Sequence, residues 1–215
     1  MIAVVAALRS EAQPLVDHMG LERVCSRAKP ALWARGDLLL AVSGVGRPGA
    51  ERAVEALARA APEGDEIAWL NFGLAGHRTH RLGRAFLASR VEDATTGEVW
   101  APSPVLALDS PPAVVRTVDA PEAAYPDDVL YEMEAAAIFA LVSRLAAAGP
   151  IQAVKIVSDN LRDPARTVTA EKASHLVAGA IPAIVGCIEE LRRLQEGAGA
   201  GNVDSKRRPA EPGGC

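Results

Sequence analysis

At 215 residues, with 49% hydrophobic and 23% charged side chains, the chain is long enough for one ordinary globular domain with its own core. The net charge of −4 argues against nucleic acid as a partner, and the three scattered cysteines, Cys25, Cys187 and Cys215, form no CxxC pair, which argues against a zinc site or a disulfide framework. The first residues lack a basic leader and no apolar run approaches ~20 residues, so neither a signal peptide nor a membrane span is expected and a cytoplasmic protein is.

The chain opens on "IAVVAAL" (Ile2 to Leu8), a continuous apolar run that predicts a strand covered on both faces. "SEAQPLVDHM" then predicts a helix with Ser10 as its N-cap, and Glu11 sits just past the strand end. "DLLLAVSGVG" (Asp37 to Gly46) reads as a second buried strand, and "RPGAERAVEALARAA" as a helix with one apolar side. Further strands are expected at Glu66 to Gly76, along "GRAFLASRVED", and at Ala113 to Asp119. A helix is expected from Glu132 to about Ala148, then a strand over Gln152 to Asn160. A long last helix follows, with Pro182 predicting a kink or break. Trp100 to Pro112 is a proline-rich loop, and the glycine-, proline- and charge-rich residues 196–215 predict a disordered tail behind a domain of 1–195.

Strands alternating with helices imply an α/β fold, a three-layer α/β/α sandwich around a mixed, largely parallel twisted sheet. Ligands bind such sheets beyond the carboxyl ends of the strands. Polar and glycine residues gather there: Glu11, Gly44 and Gly46, Gly73 to Gly76, and Ser158–Asp159–Asn160.

Several motifs carry two readings. In "YEMEAAAI" (Tyr131 to Ile138) the carboxylates of Glu132 and Glu134 suit the first turn of a helix, where free N–H groups welcome negative charge. Residues two apart do not share a helix face, so at most one follows the apolar side. "SGVGRPG" could bind an anion at Gly44, Gly46 and Arg47, or be a tight strand-to-helix turn. It is neither GxGxxG nor a P-loop. "VKIVSDN" places Lys155 and Asp159 on one side if the strand stays regular, and Asp159 is either a cap or a catalytic acid. His18, His77, His80 and His175 lack metal-ligand spacing and read as surface or satisfied residues.

Taken in order, "IAVVAALRSEAQPL", "VSGVGRPGAERA", "LNFGLAG", "YEMEAAAI" and "VKIVSDN" resemble the nucleoside phosphorylase superfamily, and most of all its methylthioadenosine/S-adenosylhomocysteine nucleosidases. The resemblance covers roughly Met1 to Leu194 with a gap in the middle. It implies cleavage of the N-glycosidic bond of a purine nucleoside. Met133 would pack on the ribose, Glu134 would accept from its hydroxyls, and Glu132 would lie near the sugar. Asp159, beside Ser158 and Lys155, would protonate or hydrogen-bond the purine N7, and Glu11 would orient and deprotonate water. Gly73, Leu74, Ala75 and Gly76 would line the site. No metal or organic cofactor is implied, and a homodimer is.

The sequence departs from the family pattern in three places. Leu74 stands where the family has a small hydroxyl or glycine, and Lys155 where the hydrolases often have arginine. The segment from Asp93 to Tyr131 is short, leaving Tyr125 as the aromatic residue near the base. Arg47 keeps phosphate-dependent cleavage open as an alternative to hydrolysis. Binding of a nucleoside without turnover, motivated by Leu74 and the short segment, is a third reading.

Overall fold

In the computed structural model, described for residues 1–24, 29–62, 64–105, 111–146 and 148–204, the elements follow one another as β1 (Ile2–Ala6), α1 (Arg9–Met19), β2 (Glu22–Arg23), β3 (Ala31–Arg35), β4 (Leu38–Val42), α2 (Arg47–Ala60), β5 (Ile67–Gly76), β6 (Ala85–Asp93), β7 (Val99–Trp100), β8 (Pro112–Thr117), β9 (Leu130–Glu132), α3 (Ala135–Val142), β10 (Ala148–Asp159), α4 (Ala170–Gly179) and α5 (Ile181–Asp204). β1 is buried along its whole length because it pairs in parallel with β4 on one side and β5 on the other. Its alternate side chains enter different cores. Ile2, Val4 and Ala6 meet residues of α1, α4 and α5, such as Leu15, Val177 and Ile188. Ala3 and Val5 meet Val54 and Leu57 of α2 and Ile138 of α3.

The fold is mixed α/β. Of its strand pairings five are parallel and five antiparallel. The sheet is therefore mixed, with parallel pairing confined to the runs β4–β1–β5–β10 and β6–β8–β9, and the expectation of a largely parallel sheet holds only within these runs. At the flanks short connections enforce antiparallel neighbours, as in the β3–β4 hairpin, whose turn holds Gly36 at φ 58°. β2, β3, β7 and β9 have no counterpart among the expected strands; β2, β7 and β9 span only two or three residues and show no periodicity of their own, and β3 spans five.

Three local expectations are corrected. Leu8, not Ser10, is the cap of α1, because the Glu11 carboxylate reaches back to the Leu8 N–H and leaves a hydroxyl cap without a task. α3 begins at Ala135, since Glu132 still pairs with Thr117 as part of β9. α5 reaches Asp204, inside the segment expected as a tail, while 205–215 lie outside the described residues, as do Cys25 and Cys215. The break expected at Pro182 falls at Ala180, where α4 and α5 bend by 58°. No single helix among the described residues is long and apolar enough to cross a membrane.

β5 positions the site. It pairs with β10 along its length. On its other edge it follows β1 as far as Asn71 and then meets β9 only at Gly76. Between those points the two neighbours diverge, and the backbone of Phe72 to Ala75 faces an opening at the carboxyl end of the central strands.

One helix approaches this end closely. A Cβ on Gly49 of α2 would stand 2.6 Å from the Ser43 carbonyl oxygen, whereas one on Gly179 of α4 would meet nothing within 4 Å. Gly49→Ala is expected to lower the melting temperature, at a cost of about 1–3 kcal/mol for overpacking. Gly179→Ala is expected to leave it unchanged or raise it, since alanine favours helix by about 1 kcal/mol. Thermal unfolding of both variants beside wild type checks the contrast.

Candidate active site

Glu11 lies in the first turn of α1 with only 3% of its surface exposed. Its Oε2 accepts from the N–H groups of Ala7 and Leu8, both at 3.1 Å, and its Oε1 from Leu74 N–H at 3.3 Å. It thereby takes up one of the β5 amides that the diverging strands leave without a partner. Burial pushes its carboxyl above the ordinary value, even against these N–H groups and the nearby charge of Lys155. Gly73 permits the approach, since a Cβ there would lie 3.3 Å from Oε2.

The Tyr131–Ile138 motif divides its two carboxylates. Glu132 ends β9 and accepts from Lys155 Nζ at 2.7 Å, from Thr117 Oγ1, from Glu134 N–H at 3.1 Å and from Ala135 N–H at 2.9 Å. Burial alone would raise its carboxyl, but the Lys155 charge and these donors outweigh it and hold the carboxyl below the ordinary value. Its acceptor capacity is taken up by Lys155, Thr117 and the free N–H groups at the start of α3. Glu134, the N-cap residue of α3, accepts from Gly46 N–H at 2.6 Å through Oε1, while no hydrogen bond to Oε2 is present among the described residues. Burial, and then the negative charge of Glu132, push its carboxyl up to about 7.

The glycine turn that might have held an anion already holds this one. Gly46 N–H points at Glu134. The Arg47 guanidinium is forked on Asp93, at 2.5 and 2.8 Å, and bonded to Asp119 at 2.7 Å, which holds the Asp93 carboxyl down at about 2. Gly44, Gly46 and Arg47 line no part of the cavity, although Val45 between them does.

At the end of β10 the pairing with β5 shifts between Val157 and Asp159, so two β10 residues oppose one of β5. This bulge breaks the alternation on which a shared side for Lys155 and Asp159 depended, and aims Asp159 anew. Its Oδ1 accepts from Ser158 Oγ and its Oδ2 from Tyr125 Oη. A Cβ on Gly76 would stand 2.5 Å from Oδ2, so only glycine fits beneath the carboxylate.

These groups surround a cavity of about 180 Å³. Of the residues expected there, Glu11, Leu74, Ala75, Gly76, Glu132, Met133, Glu134, Ser158 and Asp159 line it, while Gly73 and Lys155 stand behind it. Leu74 gives its N–H to Glu11 and packs its side chain against the core of α1, α4 and α5. Tyr125, expected near the base, instead supports Asp159 from behind the cavity. Sequence reasoning missed the wall made by Val118, Pro121 and Glu122, and the support Thr117. Nothing in their local pattern marks them. All charged lining residues are acidic: Glu11, Glu122, Glu132, Glu134 and Asp159. Among the described residues no group of His, Cys, Asp or Glu could hold a metal ion. His77 is satisfied as expected, its Nδ1 accepting from Thr79 and His80 N–H and its Nε2 facing Asp128 at 3.0 Å.

No protein-family model matches the sequence, and no curated protein matches it. Solved structures do match in three dimensions. The 5′-methylthioadenosine/S-adenosylhomocysteine nucleosidase of S. pneumoniae, solved with the transition-state inhibitor MT-ImmA, superposes with a TM-score of 0.70 at 18% identity, covering 88% of this chain and 99% of its own. The 5′-methylthioadenosine nucleosidase of Arabidopsis thaliana gives 0.68 at 19%, covering 88% and 95%. An MTAN from Chlamydia trachomatis gives 0.64 at 23%, covering 86% and 96%. The chain shares the fold of these nucleosidases.

Two outcomes follow from the electrostatics. Lys155→Met leaves Glu132 buried without its cation and is expected to cost about 3–5 kcal/mol, with Glu132→Gln restoring part of the loss; chemical denaturation measures both. Glu134, with an ordinary value of 4.5 raised to about 7, binds its proton more tightly folded than unfolded. Its contribution to stability is complete below pH ~4.5 and is lost as pH rises through about 7. Glu134→Gln is therefore expected to raise the melting temperature at pH 8 and to change it little at pH 5. Equal shifts at both pH values would refute the assignment.

Proposed function

We propose that this chain cleaves the N-glycosidic bond of a purine nucleoside by hydrolysis. The observation that carries the reading is the convergence of three carboxyl groups in different environments, Glu11, Glu134 and Asp159, on one cavity in a fold shared with nucleosidases. Glu134, whose Oε2 is open, accepts from the ribose hydroxyls, and Met133 packs against the sugar. Asp159 delivers a proton to the purine N7 as the C1′–N9 bond breaks. Water adds at C1′ and gives its proton to Glu11. The flanking carboxylates stabilise the positive charge that the sugar develops in the transition state.

Hydrolysis is favoured over phosphorolysis by the charges at the site. The Arg47 fork is engaged by Asp93 and Asp119, the Gly46 amide by Glu134, and the charged lining is acidic. A phosphate anion would meet repulsion from this acidic lining. The helices packed on the two cores are read as the outer layers of an α/β/α sandwich. A homodimer is carried by the family resemblance alone, and a cytoplasmic location by the reading of the sequence alone.

Free-base release from methylthioadenosine, adenosylhomocysteine, adenosine, inosine and futalosine, with and without phosphate, tests the reading. Release without phosphate is expected, with Asp159→Asn lowering it by roughly 10²–10⁴-fold. Release that requires phosphate would move the chain to the phosphorylases, and no release from any substrate would overturn the proposal.

A further inference from the structure

The loop between β8 and β9 contains the one non-glycine residue with a positive φ among those described: Tyr125, at φ 45°. A bulky residue in that region costs of order 1–3 kcal/mol and persists only where surrounding contacts hold it. Here they do. The Tyr125 ring is 1% exposed and packs with Val129 and Tyr131. Its edge lies on Gly76, where a Cβ would come within 2.6 Å of Cε1. Its hydroxyl donates to Asp159 Oδ2. Burial, and then the neighbouring Asp159 carboxylate, push the phenol up, so it stays protonated and able to donate. The loop is pinned just after it: Arg116 pairs with Asp127, Asp127 N–H donates to Tyr131 Oη at 3.0 Å, and His77 faces Asp128 at 3.0 Å.

We propose that Tyr125 is a positioning residue for Asp159, holding its carboxyl group in one orientation toward the cavity from the buried side. The inference rests on Asp159 acting on the leaving base, as proposed above. Ser158 fixes Oδ1 and Tyr125 fixes Oδ2, so rotation of the carboxyl breaks both bonds. The left-handed backbone is what turns the Tyr125 ring inward from an otherwise exposed stretch of loop. The short segment before Tyr131 thus supplies a support for the acid.

The test is a double-mutant cycle of Tyr125→Phe and Asp159→Asn, read in hydrolysis of methylthioadenosine or whichever nucleoside wild type cleaves best, with melting temperatures alongside. Tyr125→Phe keeps the ring and removes the hydroxyl. It is expected to leave KM within about twofold and to lower kcat roughly 10–100-fold, the scale of a misplaced catalytic group. In the Asp159→Asn background it is expected to cause no further loss of kcat. A residue that merely holds the loop would show the same loss in both backgrounds, which would overturn the proposal, as would an unchanged kcat in Tyr125→Phe. If wild type releases no base from any nucleoside, the nucleosidase reading fails and takes this one with it. If wild type is active and Asp159→Asn is impaired while Tyr125→Phe is not, only the role of Tyr125 fails.

Discussion

The buried ion pair between Lys155 and Glu132 organises the site. Both side chains are 1% exposed, and each would be costly to leave alone. Burying such a pair often adds little net stability, because lost hydration offsets the attraction. Its consequence here is geometric. Lys155 comes from β10, Glu132 from the end of β9, and Thr117 from β8, so three strands are registered at one point. The same carboxylate takes the free N–H groups of Glu134 and Ala135, which starts α3 there and makes Glu134 its cap. Lys155 also acts through space on Glu11 and Glu134, drawing both carboxyls down against their burial.

That one cation serves several carboxyl groups without neutralising all of them. Glu132 is ionised and saturated, Glu134 sits at about 7 beside it, and Glu11 is raised by burial while anchored by backbone amides. Such differences let neighbouring carboxyl groups of one cavity rest in different protonation states. They also define what the cavity resists. Its charged lining is acidic and Arg47 is bound elsewhere, so it disfavours an anion.

Close approach is the second constraint. Gly73 leaves room for Glu11 against β5, and Gly76 leaves room for Asp159 and Tyr125. Both lie on the stretch of β5 where β1 and β9 have diverged. The opening comes from the strand order, and the glycines let the Glu11 and Asp159 side chains lie on bare backbone within it.

The sequence by itself determined the elements that carry a local signal. β1, β5 and β10 are legible because strands buried on both faces are continuously apolar, and the glycines and acids at their ends mark where such a sheet binds ligands. The ordered motifs therefore led to Glu11, Met133, Glu134 and Asp159, all of which line one cavity. Only the tertiary structure decided that Glu132 belongs to a strand, because three residues of β9 have no period and its partner Lys155 lies 23 residues away. It likewise assigned Arg47 to Asp119, 72 residues distant, and Tyr125 to Asp159, 34 residues distant. Periodicity, capping and turn chemistry act over a few residues. Which charge neutralises which, and which hydroxyl steadies which acid, depends on how distant segments pack.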